Sequence, residues 1–256
     1  MITKYAKEQD IPALRRLWKE AFGDTDALLD GFFSTAFAPD RCLCGWEEGK
    51  LVCVVYWLDH TWREHTIAYA YAVATDKAYR GRGFCHKLLE SLRKRLRDRG
   101  YYGILLVPED EYLAEFYRSM GYEPCCPMEH FDIPAAGRPD PGLRRITWEQ
   151  YVWYRGQLLP EESVMPGEEV YRYLDTYLDF YRADAGIFCG TVEKRPEGDH
   201  LQIQEFLGEP KGLFAIVQAM GCKTCKVRLK GAYPYGCFRR LTKDKAMPKY
   251  FGLPLD

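Results

Sequence analysis

Tyr71-Ala-Val-Ala-Thr-Asp-Lys-Ala-Tyr-Arg-Gly-Arg-Gly-Phe-Cys85 reads as a strand that ends, a turn through two glycines, and a helix that begins at once. Ahead of the turn, Thr66 to Thr75 alternates small residues with Ile67, Tyr69, Tyr71 and Val73, the period-two pattern of a strand. Behind it, Phe84, Leu88, Leu89, Leu92 and Leu96 recur at helical spacing over Phe84 to Arg97, and Gly100 supplies a stop. Gly81 and Gly83 permit positive φ and carry no Cβ, so backbone N–H groups can turn toward a bound anion. The helix start adds unpaired N–H groups and the positive end of its dipole. Arg80 and Arg82 add full charges. This combination predicts a pyrophosphate-binding turn, with a plain helix cap as the alternative. The stretch is neither GxxxxGK[ST] nor GxGxxG with an acid about twenty residues on, which removes the P-loop and Rossmann readings.

Working outward, a strand Ile2 to Tyr5 leads to a helix with Asp10 as N-cap and Leu14, Leu17, Trp18 and Ala21 on its apolar face. A second helix spans about Thr25 to Phe37. Strands are expected at Arg41 to Glu47 and Lys50 to Leu58. After the central helix come a strand at Tyr102 to Val107, a helix at Tyr112 to Met120 and a strand from Tyr122. The class is α+β, a mixed central sheet flanked by helices. Ile133 to Gly142, with three prolines and two glycines, marks a boundary. It divides the chain into 1–135 and a smaller α+β domain, 136–256. There Thr147 to Gln150 fits a capping box, and a Tyr-rich helix is expected from Glu168 to Tyr181. Two strands flank Arg195 to Asp199, followed by a helix Pro210 to Met220, a strand through Cys225, Val227 and Leu229, and a strand near Phe238. This order echoes the first half and suggests a degenerate repeat without the glycine turn, hence without a cofactor.

Composition excludes several classes. A net charge of −1 argues against phosphate-driven nucleic-acid binding. The cluster Arg93, Lys94, Arg95, Arg97 and Arg99 reads as a solvated helix face. No apolar run is long enough to span a membrane, and the charged start MITKYAKEQD lacks a signal-peptide core, so a cytoplasmic location is expected. The ten cysteines, including Cys222-x-x-Cys225, Cys42, Cys44, Cys125 and Cys126, lack a second ligand pair and read as small buried thiols, with no metal.

Arg80-Gly81-Arg82-Gly83-Phe84-Cys85 resembles the [Q/R]-x-x-G-x-[G/A] signature of the GNAT superfamily of N-acetyltransferases, and Glu115-Phe-Tyr-Arg-Ser-Met-Gly-Tyr122 resembles that family's xFYxxxGF/Y ending. The resemblance covers roughly the first 135 residues. It implies acetyl-CoA as co-substrate, its pyrophosphate on Arg80, Gly81, Arg82, Gly83, Phe84 and Cys85. It places the pantetheine arm along a bulged strand at Val73, Ala74 and Thr75. It also implies direct attack by an amine, from a small molecule or a peptide, with Tyr117 as the general acid that reprotonates the leaving thiolate. Cys85 departs from the Gly or Ala of the signature, and Lys77 from a frequent proline.

The general base is not evident, because the strand offers Tyr69 and Tyr71 where the family often has a carboxylate. Asp59, His60, Glu64, His65, Glu109 and Asp110 are the nearby alternatives, each also readable as a solvated loop residue. In some two-domain relatives the C-terminal carboxylate reaches the site, which adds Asp256. Tyr69, Tyr71, Trp57, Trp62 and Tyr112 are expected to line the acceptor pocket. Two rival readings remain at this point: a CoA-binding sensor without turnover, and an interaction protein whose glycine turn is only a cap. The oligomeric state is open, since the Tyr-rich helix could pack on the first half or on a second copy.

Overall fold

The computed structural model describes residues 1–255. The first half runs β1 (Ile2–Tyr5), α1 (Ile11–Phe22), α2 (Asp26–Thr35), β2 (Cys42–Glu47), β3 (Lys50–Trp62), β4 (His65–Thr75), α3 (Phe84–Asp98), β5 (Gly103–Leu106), α4 (Glu111–Ser119) and β6 (Glu123–Pro134). The second runs β7 (Arg144–Ile146), α5 (Trp148–Leu158), β8 (Val164–Pro166), α6 (Glu168–Leu174), β9 (Asp179–Ala183), β10 (Gly186–Glu193), β11 (His200–Gly208), α7 (Leu213–Ala219), β12 (Thr224–Lys230) and β13 (Tyr233–Arg240).

Local chemistry sets most of these boundaries. Gly23 closes α1 in the left-handed conformation, φ 75°, with its N–H on Lys19 O. Thr25 caps α2 by accepting from Leu28 N. Thr147 and Gln150 form the reciprocal capping box on α5. Asp10 does not cap α1. Its carboxylate instead accepts from Lys7 N at 2.9 Å, closing the short 3-10 turn that precedes the helix.

One sheet orders the strands β1-β2-β3-β4-β5-β13-β6-β12-β11-β10-β9-β7, with β8 on the far end of β3. Its interstrand ladders are antiparallel except β4–β5 and β11–β12, where α3 and α7 make the crossovers. The second half repeats the first in this order of hairpin, crossover helix and parallel strand. It even keeps an extra residue in the equivalent strand: Cys189 faces Glu205 and Gly190 faces Ile203, leaving Gln204 of β11 unmatched. The two halves also exchange their last strands. β13 lies between β5 and β6, and β6 lies between β13 and β12.

The core follows from this arrangement. Trp57, Leu88, Leu89, Leu92 and Ile104 bury one face of the first half under α3. Leu17, Trp18 and Phe32 of α1 and α2, together with Tyr151, Val170, Tyr173 and Phe251 from the second half, bury the opposite face as one cluster. The halves therefore share a core. The Tyr-rich helix packs on the first half, Tyr173 against Phe32 with ring centroids 5.5 Å apart. That helix is shorter than expected. It ends at Leu174, and Asp179–Ala183 is a strand instead. Thr176 Oγ1 bonds back to Tyr173 O at 2.7 Å, a local competitor to helical pairing, and the hairpin with β10 claims Phe180 and Tyr181.

Candidate active site

Strand β4 pairs with β5 only from Ile67↔Gly103 to Tyr69↔Leu105. Beyond that the two strands part, because β5 continues its ladder with β13 through Leu106↔Cys237. The parting leaves one edge of Ala70–Thr75 without a strand partner. Along its other edge β4 carries a bulge: Val54 faces Ala74 while Tyr56 faces Tyr71, so Ala72 and Val73 share one opposing residue, and Ala72 has φ 47°. A bulge re-aims backbone N–H and C=O groups out of the ladder. They face a cavity of about 1140 Å3 that runs from the α1–α2 loop to the start of α3.

The glycine turn closes one end. Asp76 accepts from Ala78 N at 2.9 Å and pairs with Lys50 at 2.8 Å, which fixes the short 3-10 turn Lys77–Tyr79. Gly83, φ 73°, is the N-cap of α3, and no side chain caps the helix. Its first N–H groups are thus left for an anion. A Cβ built on Gly81 or Gly83 would meet nothing within 4 Å, so the space above the turn is open. Arg80 Nε donates to Thr75 O at 3.1 Å, tying the turn to the end of β4.

Of the residues singled out from sequence, Val73, Ala74, Thr75, Arg80, Gly81, Gly83, Phe84, Cys85 and Tyr117 all line this cavity. Arg82 does not. Its guanidinium lies 5.0 Å from the ring centroid of Tyr79, outside the lining. Tyr117 stands on α4, which Asp110 caps through Leu113 N at 2.7 Å. Tyr117 is buried, and burial first, then the neighbouring Cys85, Tyr122 and Cys237, push its pKa well up. It stays protonated and can donate. Burial also raises the Cys85 thiol to about 11, which keeps it from acting as a thiolate nucleophile.

The acid–base alternatives separate cleanly. Only Glu109 of the six lines the cavity. Asp59 is engaged by Tyr101 Oη at 2.6 Å and Arg41, and Asp110 is spent on its cap. His60 is buried between Tyr69 and Phe251, and burial depresses its pKa to about 3. His65 stacks on Tyr102 at 4.5 Å, and Glu64 is exposed in the β3–β4 turn. Asp256 lies outside the described residues. Of the aromatics expected at the acceptor pocket, Tyr69, Tyr71 and Tyr112 line this cavity. Trp57 and Trp62 are core: strand alternation turns Trp57 under α3, and Trp62 packs on Tyr102 at 5.2 Å.

Sequence reasoning missed the other contributors. Trp18, Phe22 and Asp24 come from α1 and its loop, His130 from β6, and Tyr173, Tyr177, Tyr235 and Leu255 from the second half. The chain after β13 threads between the halves. Gln204 Nε2 donates to Pro254 O at 2.5 Å, and Leu255 N donates to Tyr69 Oη at 3.1 Å. Beneath it, Arg155 and Glu205 form a buried pair at 2.7 Å, with Tyr151 and Tyr250 hydroxyls also donating to the carboxylate.

Residues 3–125 match the family model described as acetyltransferase (GNAT) domain. This stretch is a GNAT domain. The whole chain shares its fold with solved GNAT structures. A GCN5-related N-acetyltransferase from Anabaena variabilis superposes with TM-score 0.76 at 15% identity, over 94% of this chain and 73% of that one. A putative acetyltransferase from Pyrococcus horikoshii gives 0.61 at 13%, over 99% and 94%. A tandem GNAT protein from the clavulanic acid biosynthesis pathway gives 0.57 at 10%, over 95% and 100%. No match is found among curated proteins. The second half is thus a repeat of the GNAT fold whose turn is closed. At Gly208 and Gly212 a Cβ would meet Ala185 atoms at 2.1 Å, where the first half has open space. Among the described residues no group of three or more His, Cys, Asp or Glu is placed to hold a metal, and the ten cysteines are free thiols. No helix is long and apolar enough to cross a membrane.

Proposed function

We propose that the protein is an acyl-CoA-dependent N-acyltransferase that moves an acetyl group from acetyl-CoA to a primary amine, carried by a small molecule or a peptide. One observation carries the reading: the bulged, unpaired edge of β4 leads directly into an open glycine turn at an uncapped helix start. Residues 1–135 carry the cofactor and the acid, and residues 136–256 complete the acceptor wall.

The lining offers a place to each part of acetyl-CoA. The pyrophosphate takes the N–H groups at the start of α3 and the Arg80 guanidinium. The pantetheine arm, an extended chain with two amides, takes the strand-like edge at Val73, Ala74 and Thr75. When bound, acetyl-CoA supplies an activated thioester. The amine nitrogen attacks its carbonyl carbon; the C–N bond forms and the C–S bond breaks. Tyr117 donates its proton to the departing sulfur, and the proton from nitrogen leaves through Glu109, His130 or water. The protonated state of Cys85 supports direct attack over an acyl-enzyme.

Release of CoA thiol, followed colourimetrically with acetyl-CoA and a panel of primary amines, tests this reading. Amine-dependent release is expected. Binding of acetyl-CoA with no release from any amine would favour the non-catalytic sensor, a reading encouraged by the absence of a carboxylate on β4.

A further inference from the structure

We infer that the aromatic end of the cavity, formed by Asp24, Tyr71 and Tyr173, is a cation-binding subsite for a positively charged group of the acceptor other than the amine that reacts. The inference rests on the acyl-transfer reading for the word acceptor, but the subsite stands on its own geometry. It narrows the substrate to a dicationic amine: a diamine, or a peptide amine with a basic side chain nearby.

Among the described residues Asp24 has no ion-pair partner. Trp18 Nε1 donates to it at 2.7 Å and fixes its orientation, while the neighbouring bases Lys19 and Arg15 pair with Asp26 instead. Among the described residues Arg80 is the one lysine or arginine in the cavity lining, and it is tied to Thr75 at the glycine turn, past the bulge from Tyr71. The lining's other carboxylate, Glu109, and its imidazoles, His86 and His130, belong to the β5–α4 loop, α3 and β6. An unpaired carboxylate facing an aromatic wall is the usual complement of an ammonium group, through charge and through the negative ring faces.

Tyr173 supplies an independent observation. Its side chain is 0% exposed, it lines the cavity, and its hydroxyl interacts with the Tyr71 hydroxyl without forming a well-aligned hydrogen bond. Buried hydroxyls are usually matched, so one without a well-aligned bond calls for an explanation. Burial raises its pKa to about 12, the Tyr71 hydroxyl lowers it, and Asp24 raises it further, which puts Tyr71, Tyr173 and Asp24 in one electrostatic neighbourhood. Trp18 meets the Tyr71 ring edge-on at 5.4 Å, and Tyr177 packs on Tyr173 at 5.2 Å. The oxygens and ring faces of this cluster are acceptors for a cation.

The reacting amine belongs elsewhere. It must be neutral to attack, and contact with a carboxylate favours its charged form. Tyr117 packs in the core under α3, whereas Trp18, Tyr71 and Tyr173 pack in the core on the opposite face of the sheet. The proton donor and Trp18, which holds Asp24, thus belong to different faces of the sheet, which leaves room for an acceptor to span them.

The test is titration calorimetry of the full chain with choline, a quaternary ammonium that cannot be N-acetylated, and with 3,3-dimethylbutan-1-ol, its uncharged carbon isostere. Choline is expected to bind at least tenfold more tightly. In Asp24→Asn, which keeps an acceptor for Trp18, this preference should vanish, and in Tyr173→Phe choline should weaken severalfold, both with near-normal thermal melts. Equal affinity for the two probes, no choline binding at all, or a preference that survives Asp24→Asn would overturn the subsite. Acetyl-CoA is titrated into the same samples. Acetyl-CoA binding without choline preference removes the subsite alone, and choline preference without acetyl-CoA binding removes the transferase reading alone.

Discussion

Cys237 of β13 stands directly opposite Leu106 of β5, so the last strand of the chain completes the sheet of its first half. On its other side β13 pairs with β6 through Tyr233↔Met128 and Gly236↔Cys125. Residues 1–135 alone would leave β5 and β6 with open edges and would uncover the core shared with α5 and α6. We expect that fragment to be insoluble or to lack a cooperative melt. Circular dichroism and a thermal melt of 1–135 against the full chain check this. A cooperative transition close to that of the full chain would contradict it.

The pair Arg155–Glu205 is fully buried and also holds Tyr151 and Tyr250. Arg155→Met or Glu205→Gln strips a buried charge of its partner and should cost about 3–5 kcal/mol. The double variant Arg155→Met/Glu205→Leu should recover much of that loss, because no lone charge remains. Urea unfolding of the three proteins measures it; additive losses would show that the two residues are not coupled.

His60 gives the fold an acid limit. Its folded pKa is about 3, well below the ordinary histidine value, with burial as the first cause. Between pH 6.5 and 3 the unfolded chain binds this proton and the folded chain does not, so stability falls as pH falls through that window. The melting midpoint should drop from pH 7 to pH 4, and His60→Asn should drop less steeply. An identical slope in the variant would remove His60 as the cause.

Tyr117→Phe keeps the ring that packs on Tyr122 at 5.6 Å and removes only the hydroxyl. Acetyl-CoA binding should be unchanged, while turnover falls by roughly 100-fold or more if the acid role holds. Titration calorimetry and single-turnover kinetics separate the two. Unchanged turnover would exclude Tyr117 as the acid.

How much of this was legible in the sequence depended on range. Period-two and helical patterns placed β4, the glycine turn and α3, because each records a local choice between strand and helix. The helix that carries Tyr117 was legible through its FY-x-x-x-GY setting. The bulge was expected near Val73 and falls at Ala72–Val73, since its position depends on cross-strand register with β3. Asp24 and Tyr173 were not legible. Asp24 sits in a polar interhelical stretch like any solvated loop. Tyr173 is one of two tyrosines on a helix whose neighbour, α2, is more than a hundred residues earlier in the chain. Strand exchange between β6 and β13 leaves no local mark, as both read as ordinary strands wherever they pair.

The most direct test of the central claim is calorimetric titration of acetyl-CoA into the wild type and Gly83→Val. Gly83 holds φ 73° with open space above it, so a β-branched residue strains the turn without striking a neighbour in the core. Saturable one-site binding to the wild type is expected. In the variant, affinity should be at least tenfold weaker, while a cooperative melt is retained. No binding to the wild type at millimolar acetyl-CoA would contradict it, and so would equal affinity in the two proteins, since the glycine turn would then be only a helix cap.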